Sequence, residues 1–369
     1  MQTVHPDGPA SLNSLQHVLE QRIAGSIDHQ RVGTRDARLI WFLKFLAKHN
    51  IADVFACNNL DRLFACYAIT LLDGKSIKGT RIRVDTIKGY FKAINDHFVD
   101  SGRPKPIDFK SSSQLVKLLD DQAKFETQPK RRLLMTLAMT QVAMVQRTID
   151  QDRLGLNCAI ANWVGIGRFV GTRKCEFAQD KDDQVCYYIK PDGEMVVRAF
   201  TFDNVMFFDK NNAPVDKLAL AAKDSVEGAA MEFDVQKNRM NGQLLKYKRG
   251  RAHPVFCIIE KLFGIVDRAH ALGQPDDLPL GVYKDDDGTT KYLTGKVFTE
   301  YIRAIALQVM PGITSEDLAL FSTHSLRVTA CNLLHEAGKD GSYIKLRLCW
   351  KSDCFEIYLR NTETITVMI

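Results

Sequence analysis

The chain has 369 residues, 45% of them hydrophobic and 25% charged, which is long enough for two well-packed domains. Its formal net charge of +6 favours a polyanionic partner, and no apolar run in the sequence approaches the length of a membrane span. The nine cysteines are scattered and include no C-x-x-C pair, so they predict neither a disulfide framework nor a zinc site. They indicate a reducing compartment and argue against a secreted scaffold.

The N-terminal third predicts a bundle of helices. Residues 1–10 are polar with two prolines and a glycine, so we expect them to be disordered, and no signal peptide is indicated. Residues 11–126 then show helical periodicity, and we expect Thr34 to cap the second helix. Lys88 and Lys92 share one face of a later helix, and either a solvated surface or contacts with phosphates would suit them.

A second domain is predicted for residues 127–369. The linker between the two domains is predicted at 125–132, which contains a proline and a basic run. Arg131 and Arg132 in this run are expected to contact DNA. Apolar residues at helical spacing alternate here with β-branched and aromatic runs at 184–208 and 233–248, the second of which predicts a hairpin. The predicted fold class is therefore α+β, mostly α, with a small antiparallel sheet inside a helical domain.

The predicted hairpin and the residues after it are strongly basic. Residues 235–259 contain six basic residues and no acidic one. These six are Lys237, Arg239, Lys246, Lys248, Arg249 and Arg251. Because a local excess of positive charge binds the phosphates of nucleic acids, the segment indicates contacts with a DNA backbone.

The C-terminal stretch 322–360 carries residues suited to phosphodiester chemistry. His324 and Arg327 lie one turn apart at the start of a predicted helix, for which Thr323 is the expected cap. Trp350 follows a second short helix, and Tyr358 lies eight residues later on a third. An arginine can bind phosphate oxygens, a histidine can move a proton, and a tyrosine can act as a nucleophile.

This stretch resembles the C-terminal signature of the tyrosine recombinase, or phage integrase, family: H-x-x-R, then His or Trp, then a nucleophilic Tyr. The sequence GTRKCE at 171–176 is similar to the family's G-x-R-x-x-E turn, with Glu176 as the usual acidic companion. The basic segment resembles the family's β-hairpin. Two features depart from the pattern: Trp350 replaces the commoner His, and Leu-Cys at 348–349 replaces the usual Leu-Gly.

The resemblance implies roles for six side chains. They are the nucleophile Tyr358, the phosphate-binding Arg173 and Arg327, the acid or base His324, the Lys237 that protonates the leaving oxygen, and Trp350 as an N–H donor. Lys246 and Lys248 remain alternatives to Lys237. Tyr343 lies on the wrong side of Trp350, so it is interpreted as a packing residue.

The expected function is that of a site-specific DNA recombinase or integrase, which cuts and rejoins strands through a covalent 3′-phosphotyrosyl intermediate without metal, ATP or other cofactor. The resemblance also implies a tetramer on two double-stranded DNA sites, with the apolar end 362–369 docking on a neighbouring protomer. A type IB topoisomerase and an inactive DNA-binding protein are the alternatives.

Neither a small-molecule substrate nor a membrane partner is expected. We expect an intracellular protein located with the DNA, in the cytoplasm or nucleoid of a prokaryote or the nucleus of a eukaryote.

Overall fold

The computed structural model describes most of the chain. The described residues are 29–74, 81–127, 130–150, 152–190, 193–218, 220–234, 242–251 and 254–359. The chain divides into two compact units, Met1–Pro129 and Lys130–Ile369. The segment expected to be disordered, 1–10, and the apolar end, 362–369, both lie outside the described residues, as do Lys237 and Arg239.

Four α-helices make up most of the described part of the first unit. They are α1 (His29–Lys48), α2 (Leu60–Leu72), α3 (Val84–Asp100) and α4 (Ser113–Lys124). Asn59 caps α2, because its side chain accepts a hydrogen bond from the Arg62 N–H at 2.9 Å. The cap predicted at Thr34 is wrong, since α1 already begins at His29.

Aromatic side chains fill the core of the first unit. Phe42 on α1 and Tyr67 on α2 are fully buried, with ring centres 5.1 Å apart. Phe64 on α2 contacts Phe91 on α3, with ring centres 6.0 Å apart. Each buried ring contributes about 1.5–3 kcal/mol relative to an exposed one, so this cluster stabilises the unit.

The second unit contains nine α-helices in its described part. They are α5 (Leu137–Asp150), α6 (Leu156–Val170), α7 (Lys174–Phe177), α8 (Ile258–Ala271), α9 (Gly295–Val309), α10 (Ser315–Leu318), α11 (Ser325–Glu336), α12 (Gly341–Arg347) and α13 (Glu356–Leu359). Helix α6 is central and packs against α5, α8 and α11. It is apolar on nearly all sides, as a fully surrounded helix must be. Gly167 allows α11 to approach, because a Cβ there would lie 2.6 Å from Leu326 Cδ1.

Eight short strands in the described residues form three antiparallel groups. They are β1 (Tyr187–Ile189), β2 (Met195–Val197), β3 (Val205–Asp209), β4 (Pro214–Val215), β5 (Val226–Phe233), β6 (Gln243–Lys248), β7 (Val282–Lys284) and β8 (Thr290–Tyr292). The largest sheet has the order β4-β3-β5-β6, and β1 pairs with β2 and β7 with β8. In the β5–β6 hairpin, Gly228 lies opposite Lys248 and Phe233 opposite Gln243.

The secondary structure confirms the predicted fold class, mostly α with small antiparallel sheets. Strand β6 lies inside the hairpin predicted at 233–248, while its partner β5 lies earlier, at Val226–Phe233. The β7–β8 hairpin was not predicted. Its strands have three residues each, which is too short for a clear alternation of polar and apolar residues. Among the described helices, none combines the length and apolarity needed to cross a membrane.

Candidate active site

Five of the six side chains assigned to catalysis meet in the second unit. They come from the loop after α6, the segment before α11, α11 itself, the loop after α12, and α13. These five are Arg173, His324, Arg327, Trp350 and Tyr358. Their separation in sequence is bridged by hydrogen bonds and ring contacts, so a single site contains them.

Arg327 lies at the bottom of the site and is only 5% exposed. Its Nη1 donates to the Gly171 carbonyl oxygen at 2.8 Å and its Nη2 to the Leu348 carbonyl oxygen at 3.1 Å. The guanidinium carbon lies 4.8 Å from the ring centre of Trp350. Burial and the nearby charge of Arg173 lower the pKa of Arg327 to about 10, so it stays charged at neutral pH. Each Nη has a second N–H, which leaves donors for an anion.

Arg173 is oriented by Glu176 on α7. Its Nη1 donates to Glu176 Oε1 at 2.7 Å, and its backbone N–H donates to Glu176 Oε2 at 2.6 Å. The other nitrogen, Nη2, reaches the Cys349 carbonyl oxygen at 3.3 Å. The acidic companion of the G-x-R-x-x-E pattern therefore fixes the direction of Arg173.

Gly171 allows the two arginine segments to meet. It ends α6 in the left-handed conformation with φ +63°, which glycine adopts without steric cost. A Cβ at this position would lie 2.9 Å from Leu348 Cδ2 and 3.3 Å from Ala330 Cβ. The absence of a side chain thus brings the Gly171 carbonyl within reach of Arg327.

His324 and Tyr358 form the polar pair of the site. His324 Nε2 lies 2.8 Å from Tyr358 Oη. The Tyr358 ring also packs on Trp350, with ring centres 5.3 Å apart, and Trp350 is 7% exposed. Tyr343, the alternative tyrosine, is 41% exposed on α12, so the prediction that it is a packing residue is wrong.

The start of α11 differs from the prediction. The helix begins at Ser325, and His324 occupies the cap position without a side-chain cap bond, so the expected cap at Thr323 is wrong. Instead, the Ser322 hydroxyl accepts from the His324 N–H at 3.3 Å. This places His324 before the helix, where its ring can reach Tyr358.

The surroundings of His324 keep its imidazole neutral. Burial, followed by the charges of Arg327 and Arg132, lowers the pKa of His324 from 6.5 to about 4. A neutral ring has one nitrogen without a proton, which can accept the phenol proton of Tyr358. The geometry and the charge state both suit a general base.

Acid should destabilise the protein partly through His324. Because its folded-state pKa is depressed, this group's stabilising contribution is complete above pH 6.5 and is lost as the pH falls through 4. Between pH 7 and 4, His324→Gln should therefore lose about 1–3 kcal/mol less unfolding free energy than the wild type. Urea unfolding at each pH measures the difference. Equal losses in the two proteins would contradict the assignment.

The root of the basic hairpin is attached to α12, beside the site. Gln243 Nε2 donates to the Leu346 carbonyl oxygen at 2.8 Å, and Arg347 Nη2 donates to the Lys246 carbonyl oxygen at 3.1 Å. The guanidinium carbon of Arg347 lies 4.0 Å from the ring centre of Tyr247. The sequence pattern did not predict these anchors. They hold the hairpin next to the loop that carries Trp350.

The lysines expected to bind DNA are exposed where the structure describes them. Lys246 and Lys248 project from the solvent face of β6. Lys88 and Lys92 are exposed on α3, and Lys92 Nζ pairs with Asp96 at 2.9 Å. These positions are compatible with phosphate contacts, and the roles of the four lysines stay predictions.

The described arginines expected to bind DNA differ in exposure and in the partners of their guanidinium groups. Arg131 is half-buried, and Arg132 is exposed with its Nη1 bonded to the Ala319 carbonyl oxygen at 2.8 Å. The guanidinium of Arg249 lies inside the unit, paired with Glu260 and bonded to the Val226 carbonyl oxygen at 2.9 Å. These contacts engage both Nη groups of Arg249, and its assignment to DNA binding stays a prediction.

The basic segment is also less positive in three dimensions than in sequence. Arg251 pairs with Glu227, a residue of the neighbouring strand β5. Glu260 also accepts from Lys223 Nζ at 2.9 Å. These acidic residues lie outside residues 235–259, so a count along the chain overstates the local charge.

No group of three or more His, Cys, Asp or Glu side chains is placed to hold a metal ion in the part of the chain that the structure describes. The charged groups of the site are the cationic Arg173 and Arg327 and one acidic residue, Glu176, which is paired with Arg173. Such a donor set suits an anionic ligand such as a phosphate.

Comparisons with known proteins find similarity only among solved structures. No protein-family model matches the chain, and no curated protein matches it. The Tn1549 transposon integrase (residues 82–397), in complex with circular intermediate DNA, has a TM-score of 0.49 and 14% identity over 94% of this chain and 93% of that chain. A lambda integrase (75–356) dimer bound to a COC′ core site has a TM-score of 0.45 and 12% identity over 94% of each chain. XerA recombinase has a TM-score of 0.33 and 13% identity over 89% of this chain and 98% of that chain. The solved proteins similar to this chain thus include two integrases and a recombinase.

Proposed function

We propose that this protein is a DNA strand-transfer enzyme of the tyrosine recombinase type, with Tyr358 as its nucleophile. The observation that carries the proposal is the 2.8 Å contact between Tyr358 Oη and His324 Nε2, next to the buried Arg327. A tyrosine hydroxyl bonded to a neutral imidazole and set beside two guanidinium groups has what is needed to attack a phosphate.

The two arginines would neutralise the phosphate under attack. Arg173 and Arg327 are each held by internal hydrogen bonds, so they lose little further freedom on binding an anion. In a partly dry site, charge–charge attraction is stronger than in water. Trp350 covers one face of Arg327 and helps to exclude water from it.

The cleavage step follows from this arrangement. Tyr358 Oη forms a bond to phosphorus as its proton passes to His324 Nε2, and the bond from phosphorus to the 5′ oxygen breaks. The leaving oxygen takes a proton, which we assign to Lys237, with Lys246 and Lys248 as alternatives. The product is a 3′-phosphotyrosyl ester and a free 5′ hydroxyl. The reverse reaction rejoins the strand, and no ATP is consumed because the ester conserves the bond energy.

The remaining assignments extend the same proposal. The helical first unit would bind double-stranded DNA, with Lys88 and Lys92 contacting phosphates. Four protomers would act on two DNA sites, with the end 362–369 of each docking on a neighbour. The protein would therefore act as a site-specific recombinase or integrase, located with the DNA of the cell.

A nicked suicide substrate tests the proposal. In such a duplex the 5′ fragment diffuses away after cleavage and the covalent complex accumulates. We expect the wild type to form an adduct in buffer containing EDTA, using DNA that flanks the gene, and we expect peptide mapping to place the nucleotide on Tyr358. Relaxation of a supercoiled plasmid by the same protein, without strand exchange, would favour a topoisomerase.

Two outcomes would reject the proposal. One is a nucleotide attached to any residue other than Tyr358. The other is tight, salt-sensitive DNA binding without any adduct, which would indicate a DNA-binding protein that lacks cleavage activity.

A further inference from the structure

Two arginines that the catalytic step does not use converge on one carbonyl oxygen beside the site. Arg132 Nη1 donates to the Ala319 oxygen at 2.8 Å, and Arg303 Nη2, from α9, donates to the same oxygen at 3.0 Å. Arg303 Nε also donates to the Phe321 oxygen at 3.1 Å. These bonds use one donor of Arg132 and two of Arg303, so both guanidiniums have N–H groups to spare.

No carboxylate among the residues that the structure describes forms an ion pair with either guanidinium. The two acidic residues of α10, which precedes Ala319, are already engaged. Glu316 pairs with Lys130, and Asp317 Oδ2 accepts from the Thr314 hydroxyl at 2.9 Å. Two like charges on one oxygen repel each other, so the arrangement favours an anion that bridges them.

The arginine pair lies on the His324 side of the site. Ala319 and Phe321 belong to the segment that leads from α10 to His324. Arg132 is close enough for its charge to act on the His324 imidazole. The pair is thus bonded to the segment that leads into His324, and an anion bound by it would lie near the phosphate attacked by Tyr358.

We infer that Arg132 and Arg303 form a second phosphate site, which binds the DNA backbone phosphate next to the one that is cleaved. Consecutive phosphates on one strand advance only about 3.4 Å along the duplex axis, so a strand in the site presents a second anion to its rim. This inference rests on the proposed function. It gives the pair a role in holding the strand in register with Tyr358, and no role in proton transfer.

The salt dependence of DNA binding tests the inference. Fluorescence anisotropy measures the binding constant for an intact 30-base-pair duplex at several salt concentrations. The slope is that of the logarithm of the binding constant against the logarithm of the salt concentration. The double variant Arg132→Gln, Arg303→Gln should give a slope shallower by about 0.9, the value for one phosphate contact. The double lysine variant keeps both charges and should retain the wild-type slope. If the two arginines served only to hold Ala319 by hydrogen bonds, the slope would not depend on whether the replacing residues are charged.

Controls separate this inference from the proposed function. Arg153→Gln removes an exposed arginine that is already paired with Asp267, and it should leave the slope unchanged. If the double glutamine variant does not fold, Arg132→Gln alone, which loses one exposed hydrogen bond, should still shift the slope in the same direction. An unchanged slope together with a Tyr358 adduct in the wild type would overturn the second phosphate site alone. The lack of any adduct in the wild type would overturn the proposed function, and with it this inference.

Discussion

Tyr358→Phe should abolish the protein–DNA adduct and leave DNA binding and folding unchanged. Phenylalanine keeps the ring that packs on Trp350 and removes only Oη, the atom 2.8 Å from His324 Nε2. Loss of a covalent nucleophile lowers the rate by about four to six orders of magnitude, so no adduct should be detected on a suicide substrate.

Tyr343→Phe is the matched control for this substitution. Tyr343 is an exposed tyrosine of the same unit, on α12, and its loss of a hydroxyl should not change the adduct yield. Both variants should bind a duplex as the wild type does. An adduct that persists in Tyr358→Phe and disappears in Tyr343→Phe would move the nucleophile to α12 and reject the site described above.

Arg327→Ala should reduce both cleavage and stability. The change leaves the Gly171 and Leu348 carbonyls without their donors in a buried place, which costs about 1–3 kcal/mol for each unpaired group. It also removes a guanidinium from the phosphate, an effect of about 10³–10⁵ in rate for arginines that stabilise phosphoryl transfer. Single-turnover cleavage and urea unfolding measure the two effects.

Arg327→Lys separates the two contributions. An ammonium keeps the charge, yet it lacks the planar fork that reaches two carbonyls and a phosphate together. We expect the lysine variant to cleave faster than the alanine variant and slower than the wild type. Arg153→Ala, which removes an exposed arginine, should match the wild type in both assays. Cleavage at the wild-type rate in Arg327→Ala would exclude this residue from the reaction.

The sequence predicted the helices of the first unit well because their signals are local. The helical periodicity of residues 11–126 corresponds to α1, α2, α3 and α4, and β6 lies inside the hairpin predicted at 233–248. Caps were less reliable, as Thr34 and Thr323 show. A threonine cap stabilises a helix start by only about 1 kcal/mol, so packing further along the chain can place the start at another residue.

The site was predictable in part for a similar reason. The order of His324, Arg327, Trp350 and Tyr358 is visible in the sequence, and the structure brings these residues together, while their catalytic roles stay predictions. What holds them was not predictable, because it consists of backbone oxygens far away in sequence. Arg303 carries no recognisable motif, and only the folded chain places it beside Arg132.

The burial of Arg249 was equally invisible in the sequence. Its carboxylate partner Glu260 lies eleven positions away, on α8 and beyond the basic segment. A run of basic residues indicates charge, but it does not show which members point inward. The direction of each side chain is set by the pairing of β5 with β6 and by the packing of α8 on β6.

The backbone oxygen of Cys349 bears on how this site can change during evolution. Cys349 has φ +55°, a conformation that costs a residue with a Cβ about 1–2 kcal/mol, and its carbonyl accepts from Arg173. Every residue has a carbonyl, so the arginine keeps its anchor whichever side chain occupies position 349. A glycine at this position would remove the backbone strain that the cysteine has. Substitutions at position 349 should therefore change the stability of the protein and leave the position of Arg173 unchanged.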